Sequence, residues 1–298
     1  MLTRRKLVKT TLAASAAAAF APAGVGRAAS ALSWTHIPAG ENGFFRAPVL
    51  LSGATETVLI DGGFTFPNGQ EVVDAIKSTG KTLTTIYISQ SDPDYYFSLK
   101  PITDAFPNAR VIAASATLVA INASVEKKIA VWGPQLKEHG PQSMADIVLP
   151  EAYDEETLTV DGETIEIVDA KGLANRRYLY VPSLSAVFGG VMIFAGVHVW
   201  TADTATKELR AAWIANLDAI AGRQPAVVVP GHMVPGAATD LSAVEHTKTY
   251  LLAFEEELAK AADAAALKAA MLARFPDLGM GIALDIGSKV ATGEMKWG

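Results

Sequence analysis

The densest group of reactive side chains is Ser89-Gln90-Ser91-Asp92-Pro93-Asp94-Tyr95, which sets two carboxylates, an amide and a phenol on one short stretch. A single imidazole, His232, follows a Pro-Gly pair in Val229-Pro230-Gly231-His232. Two carboxylates, a phenol and an imidazole form an oxygen-rich donor set suited to iron(III) or manganese rather than zinc. The same groups equally make a hydrogen-bonded polar cluster, with Asp94 capping the helix that follows and His232 held neutral. Both readings stay open at this level. Other chemistries find less support. The chain has no Cys, which removes disulfides, thiolate metal sites and a thiol nucleophile. No G-x-S-x-G elbow, G-x-x-x-x-G-K-[ST] loop or G-x-G-x-x-G fingerprint is present. Of the five His, His36, His139 and His246 read as solvated, which leaves His198 and His232.

These residues need a scaffold, and the chain can build one. Half of its 298 residues are apolar and 19% are charged, which excludes a wholly disordered chain and allows a sizeable core. The balance of 25 basic against 31 acidic residues argues against nucleic acid as a partner, since phosphates need a basic face. Residues 44–51, 56–60, 83–88 and 110–113 read as strands, and 67–78 as a helix with Val72, Val73 and Ile76 on one side. A helix is expected from near Tyr95 towards Phe106. Another should open at Ser115 and stop before Gly133-Pro134. Asp161-Gly162 joins two strands, 157–160 and 163–168, as a tight hairpin. Residues 178–181 and 186–188 form a second hairpin. A helix over 207–221, a buried strand at 226–229 and two Ala-rich helices over 241–275 complete the chain. Leu251, Leu252, Phe254 and Leu258 fall at helical spacing and read as core or a packing surface. Hairpins mixed with strand–helix units predict two sheets between helices, with residues 29–298 as one domain.

The N-terminus carries a different signal. Thr3-Arg4-Arg5-Lys6-Leu7 precedes a weakly apolar, Ala-rich run, and Gly26-Arg27-Ala28 offers small residues for cleavage. Residues 1–28 resemble a twin-arginine export peptide, too short and too Ala-rich to span a bilayer. Cleavage after Ala28 removes Arg4, Arg5, Lys6, Lys9 and Arg27 and no acid, so the mature chain is more acidic still. The expected location is the periplasm or outside the cell, with no membrane insertion after signal removal.

Three segments together resemble the metallo-β-lactamase superfamily: Thr57-Val58-Leu59-Ile60-Asp61-Gly62-Gly63, the 89–97 stretch, and Val229-Pro230-Gly231-His232. The resemblance implies an αβ/βα four-layer sandwich with a metal site at one edge of two mixed sheets. It also implies an H-x-H-x-D-H motif whose imidazoles, with later His and Asp ligands, hold one or two metal ions and a nucleophilic hydroxide. Carried over by position, the first, second and fourth His fall on Gln90, Asp92 and Tyr95. The third His falls on Leu173 and the bridging Asp on Gly190. Only Asp94 and His232 keep their residue types. Leu173 and Gly190 cannot ligate through side chains, and a Gln carbonyl replaces imidazole poorly on zinc. A di-zinc centre is therefore not expected.

Two function classes remain. One is a non-hydrolytic relative that binds a small molecule or a protein partner in the old cleft, without a metal. The other is a hydrolase of an ester, lactone or lactam, using no metal or one ion (iron, manganese or zinc) at Asp92, Asp94 and His232. A third reading makes the C-terminal helices a docking surface for a partner. His198 and Trp200 either line a pocket or pack in the core. Arg176 and Arg177 adjoin in a strand and face opposite sides, so one can enter the cleft and bind an acidic group. Asp61 reads as a loop anchor. The export reading gives the first testable outcome. Changing Arg4 and Arg5 together to Lys should leave the precursor in the cytoplasm, as followed by cell fractionation; undiminished periplasmic protein would show that the pair is not read.

Overall fold

The computed structural model describes residues 32–297, so the export-signal segment lies outside the described residues. Two mixed sheets are flanked by helices. The first sheet runs in chain order through β1 (Ser33–His36), β2 (Val49–Ser52), β3 (Glu56–Ile60), β4 (Thr82–Ile88), β5 (Arg110–Ala113) and β6 (Glu151–Ala152). Its first two pairings are antiparallel and the rest parallel. The second sheet contains β7 (Thr157–Val160), β8 (Glu163–Asp169), β9 (Arg177–Val181), β10 (Ala186–Phe188) and, paired parallel to β10, β12 (Val227–Val229). A short parallel pair, β11 (Phe194–Ala195) and β13 (His232–Met233), links the second half to the site.

Local chemistry explains most of these elements. The helix α1 (Phe66–Thr79) starts where Thr65 accepts from the Asn68 N–H in a capping box, and ends at Gly80 with φ 65°. The β7–β8 hairpin turns on Asp161 and Gly162, both at positive φ, as a two-residue primed turn requires. Ile86, Tyr87 and Ile88 are all buried because a strand between parallel neighbours has no solvent face. The remaining helices are α2 (Leu99–Ala105), α3 (Ser115–Leu136), α4 (Lys207–Gly222), α5 (Ser242–Leu258), α6 (Ala264–Arg274) and α7 (Gly281–Ala291). On α4, Trp213 is fully buried and its indole N–H donates to the Met192 carbonyl at 2.9 Å. On α5, Leu251 and Phe254 face the core while Leu252 is exposed.

Four expectations are corrected. Residues 44–48 are not strand: Phe44 and Phe45 take φ of 54° and 55°, and pairing begins only at Val49. The Phe44 carbonyl bonds the His232 ring and the Phe45 carbonyl accepts the Met233 N–H, with a single bridge from Arg46 to His232 in place of a continuous strand. The helix expected from Tyr95 starts at Leu99, because Pro93–Tyr95 forms a separate 3₁₀ turn. Ser115 is the first residue of α3 rather than its cap; its N–H and hydroxyl donate to the Asp154 carboxylate. That helix continues through Pro134 to Leu136, where the Lys137 N–H and the Gln142 side-chain amide both bond the Gly133 carbonyl.

The parallel pairings have a geometric consequence. β3 and β4 run the same way, as do β10 and β12, so their C-terminal ends open together. Asp61, the 89–95 loop, Gly190 and the Pro230-Gly231 turn follow these ends directly. Arg176 immediately precedes β9, whose antiparallel pairing to β10 returns it to the same edge.

This edge is tightly closed at Gly231. A Cβ there would sit 1.8 Å from the Gly190 carbonyl oxygen and 2.8 Å from Arg46 Nη1. Gly231→Ala should therefore cost about 1–3 kcal/mol or more, measured by denaturant unfolding. Gly222→Ala, at the open end of α4 with nothing within 4 Å, should be neutral or slightly stabilising.

Candidate functional site

At the closed edge a guanidinium lies among the residues singled out in the sequence. Arg46, only 1% exposed, is delivered by the left-handed turn at Phe44-Phe45. Its Nη1 donates to the Gly231 carbonyl at 2.6 Å and its Nη2 to Asp61 Oδ2 at 3.3 Å. Its Nε is 3.8 Å from Asp94 Oδ2 and has no hydrogen-bond partner among the described residues. The guanidinium carbon stacks 3.7 Å from the centre of the Tyr95 ring, a cation–π contact strengthened by the burial of both groups. Burial works against this charge, but Tyr95, Asp61 and Asp94 outweigh it and hold the pKa above the ordinary guanidinium value.

The surrounding groups are fixed by their own bonds. Asp61, at φ 61°, accepts from the Ser89 N–H at 2.7 Å and the Ser89 hydroxyl at 2.8 Å, in keeping with a loop anchor. His232 has Nδ1 2.8 Å from the Phe44 carbonyl, so that nitrogen carries the proton. Its Nε2 is then an acceptor, reached by the Tyr95 hydroxyl at 3.3 Å. Burial first, then the charge of Arg46, pushes the His232 pKa well down and keeps the ring neutral. Phe194 stacks on the ring at 4.9 Å. Asp94 Oδ2 stands 3.5 Å from Nε2, so an ionised Asp94 would oppose lone pair to lone pair. Burial raises the Asp94 pKa to about 7, against the pull of Arg46.

The other expected positions turn towards a neighbouring cavity of about 170 Å³. Gln90, Asp92 and Leu173 lie on its walls with Asn175, Arg176 and Asp203. The Gln90 carbonyl is taken by the Ser91 N–H at 2.6 Å and by Asn175 Nδ2 at 3.2 Å. Asp92 pairs at 3.4 Å with Lys128, whose Nζ also donates to the Ser91 carbonyl. Gly190 is not on the cavity wall but packs at the closed edge against Gly231 and Ser89. Its φ of 48° and a Cβ position 2.9 Å from the Ser89 hydroxyl explain the glycine.

The remaining candidates separate clearly. Arg176 is buried against the Trp213 ring at 4.3 Å and lines the cavity. Arg177 faces away, paired to Asp169 at 2.7 Å. His198 packs in the core with Nδ1 3.1 Å from the Tyr250 hydroxyl, off the cavity wall. Trp200 contacts the wall indirectly, donating to Asp203 Oδ2 at 3.1 Å and meeting Trp297 edge-on. His246, expected in solvent, is half-buried and bonds the Val197 carbonyl at 3.1 Å. Sequence reasoning missed Arg46, although a lone charge inside the apolar run Phe44-Phe45-Arg46-Ala47 is a signal of a buried ion pair.

This architecture is shared with solved structures. A metallo-beta-lactamase family protein from Thermus thermophilus superposes with a TM-score of 0.59 at 18% identity, covering 89% of this chain and 93% of its own. The chain has the metallo-β-lactamase fold. A metallo-beta-lactamase from Pontibacter korlensis matches with a TM-score of 0.53 at 19% identity, over 70% of this chain and 87% of that one. No family model and no curated protein matches the sequence. Among the described residues of this metallo-β-lactamase fold, no group of three or more His, Asp or Glu is placed to hold a metal ion.

The raised Asp94 pKa links the cluster to stability. Its folded value, about 7, exceeds that of a free carboxyl. The stability it contributes is therefore complete near pH 4 and is lost as the pH rises through 7. Asp94→Asn removes this dependence. Raising the pH from 5 to 8 should lower the melting temperature of the wild type relative to Asp94→Asn; parallel curves would show that Asp94 ionises normally.

Proposed function

We propose that this protein is a metal-independent relative of the metallo-β-lactamase-fold hydrolases that binds a small molecule in the periplasm, with its ancestral metal site degenerate. The carrying observation is the Arg46 guanidinium among Asp61, Asp94, Tyr95 and His232. A divalent ion entering there would meet a fixed positive charge, which Coulomb repulsion in a buried setting makes costly. The donors do not fit a metal either. Asp61 is committed to Ser89 and Arg46, Asp92 is paired to Lys128, and the Tyr95 hydroxyl is bonded to His232 with its ring under Arg46. That leaves Asp94 and His232, fewer than the three protein ligands of catalytic zinc.

Binding is favoured over hydrolysis by where the polar groups lie. Asp94, Tyr95 and His232 are not among the residues lining the accessible cavity, so a general base drawn from them does not face a substrate held there. The accessible cavity beside them is walled by Asp92, Asn175, Arg176 and Asp203, a recognition surface with charges of both signs. The periplasmic part of the proposal rests on the Arg4-Arg5 signal alone.

Zinc uptake tests the metal-independent reading. Protein dialysed after incubation with excess zinc should retain well under one ion per chain, and zinc should not raise its melting temperature. Arg46→Met should lose about 3–5 kcal/mol by stranding buried carboxylates, and zinc should recover part of that loss. Stoichiometric zinc in the wild type, with hydrolysis of a chromogenic β-lactam or ester, would overturn the proposal.

A further inference from the structure

Arg176 presents an unresolved electrostatic problem. The residue is 3% exposed, and neither Nη1 nor Nη2 has a hydrogen-bond partner among the described residues. The nearest carboxylate oxygen, Asp203 Oδ2, is 3.6 Å from Nη2 and already accepts the Trp200 indole N–H. A buried guanidinium with two bare terminal nitrogens is costly, and the natural complement of that fork is a carboxylate bound through both oxygens. Stacking on Trp213 at 4.3 Å covers the face of the guanidinium, so the orientation of its donor edge is set by packing.

The walls restrict what can bring that carboxylate. Asp203 and Asp92 both line the cavity; Asp92 is paired to Lys128, whereas the ion-pair partner of Asp203 among the described residues is Arg176 itself. A simple anion on Arg176 would therefore stand close to the carboxylate of Asp203, and like charges that near repel. A ligand with a cationic group a few bonds from its carboxylate turns the repulsion into attraction. Volume sets the remaining limit: about 170 Å³ is close to a cavity that holds a single benzene ring. Leu173 and Leu209 supply apolar wall for a short side chain.

We infer that this cavity binds a small zwitterion, an α-amino acid of modest size, with its carboxylate on Arg176 and its ammonium facing Asp203. The inference rests on the metal-independent binding reading and names the ligand class. Arg176 grips the carboxylate as a planar fork, and the Asn175 amide, tied to Gln90 and Ser91, gives the wall a fixed shape. Asp203 discriminates against ligands that carry only the negative charge.

Calorimetric titration of the full mature chain in a metal chelator tests this, with free glycine, alanine, serine and proline as probes. At least one should bind saturably. Its N-acetyl form, lacking the cation, and its amide, lacking the anion, should each bind at least about tenfold more weakly. Asp203→Asn should narrow the gap between the free and N-acetylated ligand. Arg176→Gln should abolish binding, and Ala174→Phe, an exposed change at the rim, should block it without unfolding the chain, which guards against Arg176→Gln failing to fold. Saturable binding of an N-acetyl amino acid equal to that of the free form would overturn the zwitterion assignment. So would no binding of any probe at millimolar concentration by a folded chain. Neither outcome touches the metal-independent reading, which falls only if the wild type takes up stoichiometric zinc.

Discussion

A positive charge with almost no contact to water organises one edge of this molecule. An isolated buried guanidinium is prohibitively unfavourable, so every element that reaches Arg46 must contribute something to its stabilisation. The end of β3 contributes the Asp61 carboxylate, the loop after β4 the Tyr95 face and Asp94, and the turn after β12 the Gly231 carbonyl. The bare α-carbons at Gly190 and Gly231 let backbone approach where any side chain would intrude. A tethered cation of this kind differs from a bound ion. It does not exchange with solvent, its charge is fixed, and its planar donors leave no vacant coordination position for a substrate oxygen.

The 90–95 loop divides two environments between its first and second halves. Gln90 and Asp92 turn to the open cavity, whereas Asp94 and Tyr95 turn to the sealed charge. Pro93 between them has a fixed φ, and the Tyr95 carbonyl accepts the Gly62 N–H at 2.7 Å. The loop is thereby held at both faces, so the cavity wall is a rigid continuation of the buried cluster.

Local signals made much of the fold legible. Asp161-Gly162, the apolar run of β4 and the Pro67-led helix each declare themselves within a few residues, because their physics is local. The convergence of Asp94, Tyr95 and His232 was legible only through the likeness of three short motifs, since Tyr95 and His232 lie 137 positions apart in the chain. Arg46 escaped because residues 44–51 read as one apolar strand. Two successive left-handed residues that are not Gly leave no signature in such a pattern, and the bonds that stabilise them come from the far end of the chain. Strand alternation predicts Arg176 and Arg177 on opposite sides of one strand; their side chains do meet different partners, but Arg176 lies just before β9 rather than in it. His246 and His198 were harder: their burial is set by packing of α5 against residues 197–198, a tertiary fact.

The Phe44-Phe45 turn has a consequence for how the chain acquires this structure. Phe44 reaches His232 across 188 positions, and Arg46 reaches Gly231 across 185. Contacts of such separation close very large loops and are entropically expensive to form early. On this topology the charge is expected to lose its water only once both sheets are in place, so the cluster should add little to the folding rate. Its stabilising bonds act instead on the reverse step, slowing the escape of a finished chain from its native state. The edge that joins residues 44–46 to residues 231–232 would in this sense be a latch, expected to close late on folding and to slow unfolding.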